Sequence, residues 1–421
     1  MAQRNALSAE SLKRAVRFGD SIRFRIRSTE ELEKLVVKTS ERALQRAIES
    51  GGHRRIRIKG RDCVVYDQYD LNLVFRSISR FLTKRFRIRC MNRDAVVRGV
   101  AEAFSESTPI YVIRRDIKSF YETLPIGAVK RRLIYDTALP RSVRHYLRLF
   151  FEAHCANDIG LPRGVGLSSV LVELAMEPFD KSIRNLGGVY RYFRYADDIL
   201  IFCYTNHLEI EKKIGEHLSA PMEFNSSKSS TLILANESKA SRVNKHLDYL
   251  GYKFVLEDLG GQKKPRNIAI GLSERRIKKI KSRIVLSLRA YQHDSNAELL
   301  CQRMELLSGN YRIRRQGMTL TSSDKHVLAG IYYSYPHCGD YSGGIVQNAP
   351  PSELVELNSF FHNLIRGRNS RYRPMILAIP FESHRRRLTG ISFVHGYSSK
   401  FIVKMNHEKL RLLGSAWRNV G

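Results

Sequence analysis

Two β-rich parts of the sequence carry aspartates where a run of apolar residues is interrupted or ends. One run closes at Asp116, and the runs 189–194 and 199–204 are joined by a link containing Asp197 and Asp198. Paired aspartates in a turn are common for conformational reasons alone, because aspartate tolerates turn geometry. If the runs lie side by side in one sheet, however, the three carboxylates meet at one edge and repel each other unless a divalent cation neutralises them. Magnesium binds carboxylate oxygens together with substrate phosphates, so the pattern indicates two-metal phosphoryl transfer.

Hydrophobic periodicity predicts the elements that position these acids. The runs on either side of Tyr195-Ala196-Asp197-Asp198 predict a β-hairpin, and the apolar run 110–114 predicts a strand. Ser28 and Glu31 have the spacing of a helix-capping box in a largely helical N-terminal region. In residues 83–98 apolar and cationic residues alternate, which predicts a strand, followed by a helix from Asp94. The remaining predicted elements are a strand at 62–66, helices at 70–82, 168–179 and 273–290, and a basic helical region at 126–153.

The charge balance indicates a polyanionic partner. The chain has 421 residues, with 72 Lys and Arg against 41 Asp and Glu, a net charge of +31. A highly charged but merely solvated surface is the alternative. Nucleic acid or an anionic membrane would compensate this self-repulsion. The sequence contains no apolar run of about 18 residues, which argues against a membrane span. No apolar segment of a secretory signal follows Met1 to Asn5.

The six cysteines are scattered without C-x-x-C spacing. This pattern argues against a disulfide scaffold or a zinc ribbon. Reduced thiols in a cytoplasmic protein are the expectation.

Six motifs, in order, resemble those of reverse transcriptases. Tyr195-Ala196-Asp197-Asp198 matches the Y-x-D-D box of that family. The other five are Lys84-Arg85 with Arg93-Asp94 (fingers motif), Arg115 to Tyr121 (first palm motif), Gly160-Leu161-Pro162-Arg163-Gly164 (G-L-P-x-G), Phe224-Asn225 with Lys228 (fourth motif), and Leu250-Gly251-Tyr252 (L-G-Y near the primer grip).

The resemblance implies roles for the residues of the metal site. Asp116 and Asp197 would hold two Mg²⁺ ions, supported by Asp198, and Ile117 is assigned to the same site. Lys228 would protonate the pyrophosphate leaving group, or would be an ordinary solvated lysine.

The resemblance also implies how the substrate is held. Tyr121 would stack under the incoming sugar and exclude a 2′-hydroxyl, which leaves Phe120 in the core. Lys84 and Arg93 would contact the triphosphate, or would bind the nucleic-acid backbone more generally. Gly164 would allow the template or nascent base pair to approach closely, or would be a turn glycine.

The amino-acid sequence of one segment resembles that of a narrower group of enzymes. The family often has Ser-Pro where this chain has Ser168-Ser169, and residues 173–180 resemble bacterial defence-associated enzymes near the abortive-infection and retron groups. This resemblance implies an antiviral RNA-directed DNA polymerase in the bacterial cytoplasm. Its partners would be an RNA template that could be a dedicated noncoding RNA, a DNA product, dNTPs, and either a second reverse transcriptase or further copies of itself. Alternatives are a retron or group II intron enzyme, and an inert RNA-binding scaffold, which would not need three clustered carboxylates.

The implied fold is α+β: a right-hand polymerase with fingers, a palm with an antiparallel sheet, and a thumb, followed by a mainly α-helical basic region. The predicted segments are an N-terminal helical extension (1–60), fingers and palm (61–260), thumb (261–310) and a C-terminal RNA-binding region (311–421).

Basic clusters in the last third interleave with Tyr311, Tyr372 and Phe381, a pattern typical of RNA binding, although solvated charge is the alternative. The basic helix 273–290 would pack by its apolar stripe and could follow a phosphate backbone. The clusters are Arg312, Arg314 and Arg315; Arg366, Arg368, Arg371 and Arg373; and Arg385, Arg386 and Arg387.

Overall fold

A computed structural model of the chain describes residues 5–49, 52–58, 60–89, 91–155, 157–234, 245–256, 265–314, 326–342 and 345–417. Arg315, and Cys90 of the alternating run 83–98, lie outside these residues. The described chain forms two compact units. The first unit draws on residues 1–92 and 110–233, and the second on residues 93–109, 234–315 and 324–421.

The N-terminal elements follow local sequence signals closely. The Ser28 side chain accepts a hydrogen bond from the Glu31 backbone N–H, so the predicted helix start is confirmed. The strand predicted within 83–98 is wrong: the helix from Tyr69 continues to Arg85, and residues 86–87 form a turn that ends it. The elements are α1 (Ala9–Lys13), α2 (Asp20–Arg23), α3 (Thr29–Leu44), β1 (His53–Ile58), β2 (Arg61–Tyr66), α4 (Tyr69–Arg85) and α5 (Arg93–Ser105).

A four-stranded sheet organises the rest of the first unit. Its strand order is β4-β5-β3-β6, with β5 antiparallel to both β3 and β4, so the predicted hairpin is confirmed. Buried apolar side chains of α4, α8 and α9 pack into the core of this unit. The elements are β3 (Ile110–Asp116), α6 (Phe120–Thr123), α7 (Gly127–Tyr135), α8 (Arg141–His154), α9 (Gly166–Arg184), β4 (Val189–Tyr195), β5 (Asp198–Cys203), α10 (His207–His217) and β6 (Ser230–Leu234).

The second unit contains two sheets, of order β13-β12-β9-β8-β7 and β11-β10-β14. The predicted basic helix is confirmed as α11, with its stripe of Ile277, Ile280, Ile284 and Leu288 buried. The C-terminal region has one long helix and several short ones, but also strands that the sequence interpretation missed. The elements after β6 are β7 (Lys245–Tyr249), β8 (Tyr252–Leu256), β9 (Ile268–Leu272), α11 (Glu274–Asp294), α12 (Ala297–Ser308), β10 (Asn310–Arg314), β11 (His326–Gly330), β12 (Gly339–Ser342), β13 (Ile345–Asn348), α13 (Ser352–Arg366), α14 (Arg373–Leu377), α15 (Glu382–Thr389), α16 (Phe393–Ser399), β14 (Ile402–Met405) and α17 (His407–Gly414).

Among the described helices, none combines the length and the apolar character needed to cross a membrane.

Candidate active site

The sheet of the first unit brings the predicted carboxylates to one edge. Asp116, the last residue of β3, is directly paired with Asp198, the first residue of β5. The Ile117 backbone N–H donates to the Asp197 carbonyl oxygen at 3.0 Å, which joins the end of β3 to the hairpin tip. At that tip Ala196 adopts a φ of +56°, a conformation that costs a non-glycine residue roughly 1–3 kcal/mol. The geometry therefore assembles all three aspartates from strands that are far apart in sequence.

Asp116 is buried and faces a lysine of the chain itself. The Lys228 Nζ lies 3.0 Å from each carboxylate oxygen of Asp116. Lys228 is positioned by the short helical turn Ser226–Lys228, and the Asn225 backbone N–H at its start donates to the Asp116 carbonyl oxygen at 2.7 Å. The fourth motif (Asn225 and Lys228) is thus held against the first palm motif at Asp116.

Asp198 is paired with an arginine that the sequence interpretation missed. The Arg114 guanidinium makes two hydrogen bonds to the Asp198 carboxylate, each 3.1 Å long. Burial raises the pKa of Asp198, the hydrogen bonds from Arg114 lower it, and the negative charges of Asp116 and Asp197 raise it further, so the net direction is upward. Arg114 could have been found from the sequence, because residues two apart on a strand share a face with each other, here with Asp116.

The donor set fits a hard divalent cation. Carboxylate oxygens of the three aspartates and the backbone carbonyl of Ile117 are the kind of oxygen ligand that magnesium takes. With the side chains as they stand, no group of three or more His, Cys, Asp or Glu residues in the described part of the chain surrounds a metal position. Lys228 and Arg114 instead contact the oxygens of Asp116 and Asp198. Since like charges this close require compensation, these two cations balance the acids in this arrangement.

Tyr121 lies under the guanidinium group of an arginine. The Arg163 guanidinium carbon is 4.7 Å from the centre of the Tyr121 ring, and Arg163 also hydrogen-bonds both oxygens of Glu122. The hydrogen bonds that Arg163 donates to Glu122 raise the pKa of Arg163, and the charge of Asp197 contributes to the rise. Phe120 is buried, as predicted. The sequence interpretation gave Arg163 no role of its own, yet this residue links the G-L-P-x-G motif to Tyr121 and Glu122 of α6.

The backbone conformation and the close packing at Gly164 both require glycine. Its φ is +93°, and a Cβ there would lie 2.7 Å from the Val64 carbonyl oxygen of β2. The Val64 backbone N–H also donates to the Arg163 carbonyl oxygen at 2.7 Å. The close neighbour that this glycine accommodates in the structure is therefore β2.

The two predicted triphosphate contacts lie in different units. Lys84 is exposed at the end of α4 in the first unit. Arg93 begins α5 in the second unit, where its guanidinium donates to the carbonyl oxygens of Leu250 and Ser334. It also stacks over the rings of Tyr252 and Tyr335, at 5.0 and 4.8 Å.

Arg93 therefore supports the L-G-Y motif. Leu250 and Gly251 form the turn between β7 and β8 with φ values of +48° and +83°, so leucine occupies a conformation that favours glycine. Hydrogen bonds from Arg93 to the Leu250 carbonyl stabilise this strained turn.

A buried ion-pair network lies behind the hairpin. Arg194 of β4 hydrogen-bonds Asp180 at 2.7 and 2.8 Å and Glu173 at 2.6 Å, both on α9. The Tyr192 hydroxyl donates to the same Asp180 carboxylate. Burial alone would lower the pKa of Arg194, but hydrogen bonds and charges from the two acids raise it overall. Two of the acids in the segment 173–180 thus connect helix α9 to the strand that leads into Asp197.

The C-terminal arginine clusters differ in their surroundings. Arg387 is paired with Glu298 and Glu305, and Arg385 donates to backbone carbonyls, so that cluster is largely occupied within the second unit. Arg366, Arg368 and Arg371 are exposed. Their aromatic neighbours differ as well: Tyr372 is buried and offers no free face to a base, whereas Phe381 is 66% exposed.

Carboxylates at the edge of an antiparallel sheet, with a lysine and an arginine against them, are features of a nucleotidyltransferase site. Residues 64–254 match the family model described as reverse transcriptase (RNA-dependent DNA polymerase). This part of the chain, somewhat less than half of it, is a reverse transcriptase domain, and the enzyme is an RNA-directed DNA polymerase. Such enzymes generally use divalent metal ions and take an RNA template and dNTPs to make DNA. No curated protein matches the chain.

Proposed function

We propose that the chain copies RNA into DNA by two-metal phosphoryl transfer at Asp116, Asp197 and Asp198, with Mg²⁺ as the cation. The pairing of Asp116 with Asp198 at the sheet edge carries the proposal. Asp116 and Asp197 would hold the ions, with Asp198 and the Ile117 carbonyl oxygen completing the site. When bound, the cations would stabilise the attacking and leaving oxygens of the transfer.

In this proposal the chain's own cations act once the acids bind metal. Lys228 is 46% exposed at its side chain and is attached to a short turn. Released from Asp116, its ammonium can donate a proton to the leaving pyrophosphate oxygen, as general acids do in phosphoryl transfer. Arg114 keeps Asp198 in place through its paired hydrogen bonds, and Lys84 and Arg93 remain candidates for binding phosphate groups.

Residues 61–260 would supply fingers and palm, and residues 261–310, which include α11 and α12, the thumb. We further propose that the chain serves antiviral defence in the bacterial cytoplasm with a dedicated noncoding RNA as template, alone or with further reverse transcriptase copies. The net charge of +31 supports binding of an RNA template, and the sequence of residues 173–180 supports the antiviral role.

The template proposal is tested by sequencing the nucleic acid that co-purifies with the chain from cells. A dedicated template predicts one strongly enriched RNA together with DNA complementary to it. A broad sample of cellular RNA without complementary DNA would contradict it. Phage infection of cells with and without the active chain tests the antiviral role, which predicts fewer plaques only with the active chain.

Tyr121 is expected to control the choice of sugar. Replacing it by alanine removes the ring beneath the incoming nucleotide, so the preference for deoxyribonucleotides over ribonucleotides should fall by about tenfold or more. Single-nucleotide incorporation rates with each sugar measure this ratio. Tyr121→Phe keeps the ring and should keep the preference. An unchanged ratio in Tyr121→Ala would mean that the sugar is selected elsewhere.

The arginine cluster of residues 366–373 is expected to hold RNA. Each phosphate that the protein neutralises adds roughly 0.7 to 0.9 to the slope of log affinity against log salt concentration. Replacing Arg366, Arg368, Arg371 and Arg373 by alanine should reduce that slope by about one unit for each phosphate that is no longer neutralised, while primer extension at low salt persists. Replacing Lys34 and Lys38, exposed on α3, tests charge removal elsewhere. An unchanged slope in the arginine variant would exclude this cluster from RNA binding.

A further inference from the structure

A cavity of about 320 Å³ lies within the second unit. It is bordered by α11, α12, β10 and the short helical turn Ser415–Trp417. Its lining combines the apolar side chains of Leu306, Leu307 and Leu410 with the guanidinium groups of Arg276 and Arg283. This volume falls at the lower end of the range for small-ligand sites, roughly 300–1,000 Å³. All of its lining residues lie outside the matched region 64–254.

Among the described residues, the two arginines of the cavity have no acidic partner. They are seven residues apart on α11, two helical turns, and therefore share a face. In the described part of the chain neither is within ion-pair distance of a carboxylate, whereas Arg303 of the same unit faces Asp294. The Nε of Arg276 is buried without a hydrogen-bond partner among these residues. Burial lowers the pKa of Arg283, and the positive charge of Arg276 lowers it further. Two half-buried like charges are unfavourable unless an anion joins them.

Aromatic rings hold the guanidinium groups in place. Arg276 lies 5.1 Å from the centre of the Tyr335 ring, and Arg283 lies 5.0 Å from that of Trp417. The Trp417 indole N–H donates to the Ser287 hydroxyl at 2.9 Å, which fixes the ring. A guanidinium stacked by its face keeps its N–H edge for a ligand, and that edge matches phosphate geometry. The hydroxyl-bearing side chains of Tyr311 and Ser334 line the same cavity.

We propose that this cavity binds a phosphate monoester: the terminal phosphate of a nucleic-acid strand or that of a free nucleotide. Its two negative charges match the two arginines, and the apolar side chains of the lining suit the attached nucleoside. This site is distinct from the exposed cations of α11, such as Arg275 and Arg289, and it does not depend on the polymerase chemistry.

Binding is tested on the full chain with two probes. The first is a short oligonucleotide with a 5′-phosphate, compared by fluorescence anisotropy with the same strand ending in a 5′-hydroxyl. The second is dAMP, compared with deoxyadenosine and followed by the fluorescence of Trp417, the single tryptophan of the chain. A strand-end site predicts about tenfold tighter binding of the phosphorylated strand. A nucleotide site predicts a fluorescence change with dAMP but not with deoxyadenosine.

Matched variants assign the effect to the cavity. Arg276→Gln with Arg283→Gln should abolish the phosphate-dependent difference. Arg275→Gln with Arg289→Gln removes the same charge from exposed positions of α11 and should weaken both strands equally, preserving the difference. Equal binding of both strands by the wild-type chain, without a dAMP response, would overturn the proposal, and this comparison needs no variant to fold. A difference that survives in the folded cavity variant would overturn it as well.

Discussion

Replacing Asp197 by asparagine should reduce metal-dependent nucleotide incorporation by roughly a thousandfold or more, because one ligand charge is lost where several kcal/mol of charge stabilisation is required. The fold should persist, since Asp197 is half-buried at a hairpin tip among other acids and its removal relieves repulsion. Primer extension on an RNA template measures the rate, and thermal unfolding measures the fold.

Asp67→Asn is the matched control for this experiment. Asp67 is exposed and paired with exposed Arg54, and exposed pairs contribute little to stability. The control should retain normal incorporation. Normal incorporation by a folded Asp197→Asn protein would remove the hairpin from the mechanism.

Arg194→Ala is expected to have the largest effect on stability, about 3–5 kcal/mol of destabilisation. Its side chain is 4% exposed, and its removal leaves the carboxylates of Asp180 and Glu173 without their cation in a buried setting. Because β4 leads into Asp197, incorporation should fall as well. Denaturant unfolding of the variant and the wild type gives the difference in free energy of unfolding.

Arg191→Ala provides the comparison on the same strand. Arg191 is exposed, so its replacement should change the free energy of unfolding by only about 0.5 kcal/mol. Replacing Arg194, Asp180 and Glu173 together by apolar residues should restore much of the stability, since the uncompensated charges are then gone. Equal effects of Arg194→Ala and Arg191→Ala would refute the role given to this network.

The carboxylates and their hairpin could be predicted because their signals are local. Alternating apolar residues, an Asp-Asp link and a capping serine each act within a few positions of the chain. The alternation of apolar and cationic residues near Phe86 gave a wrong prediction for the same reason. Local patterning predicted a strand, whereas helix α4 continues to Arg85 and ends in a turn.

Other features depend on distant residues and could not be read locally. Arg93 acts on a carbonyl 157 positions away, and Arg194 is paired with acids 14 and 21 positions earlier. The short strand β10 pairs with β14 near the end of the chain, and a strand of five residues has little periodicity of its own. Tertiary packing decides these features.

The most direct test of the carboxylate site is a count of bound cations. Mn²⁺ can replace Mg²⁺ as a spectroscopic probe in a complex of the chain with RNA template, DNA primer and a non-hydrolysable dNTP. Electron paramagnetic resonance then reports free and bound Mn²⁺. We expect two bound ions in the wild-type complex, as two-metal transfer requires, and at least one fewer in Asp197→Asn. Equal Mn²⁺ occupancy in both proteins at every concentration would contradict the assignment of these aspartates as metal ligands.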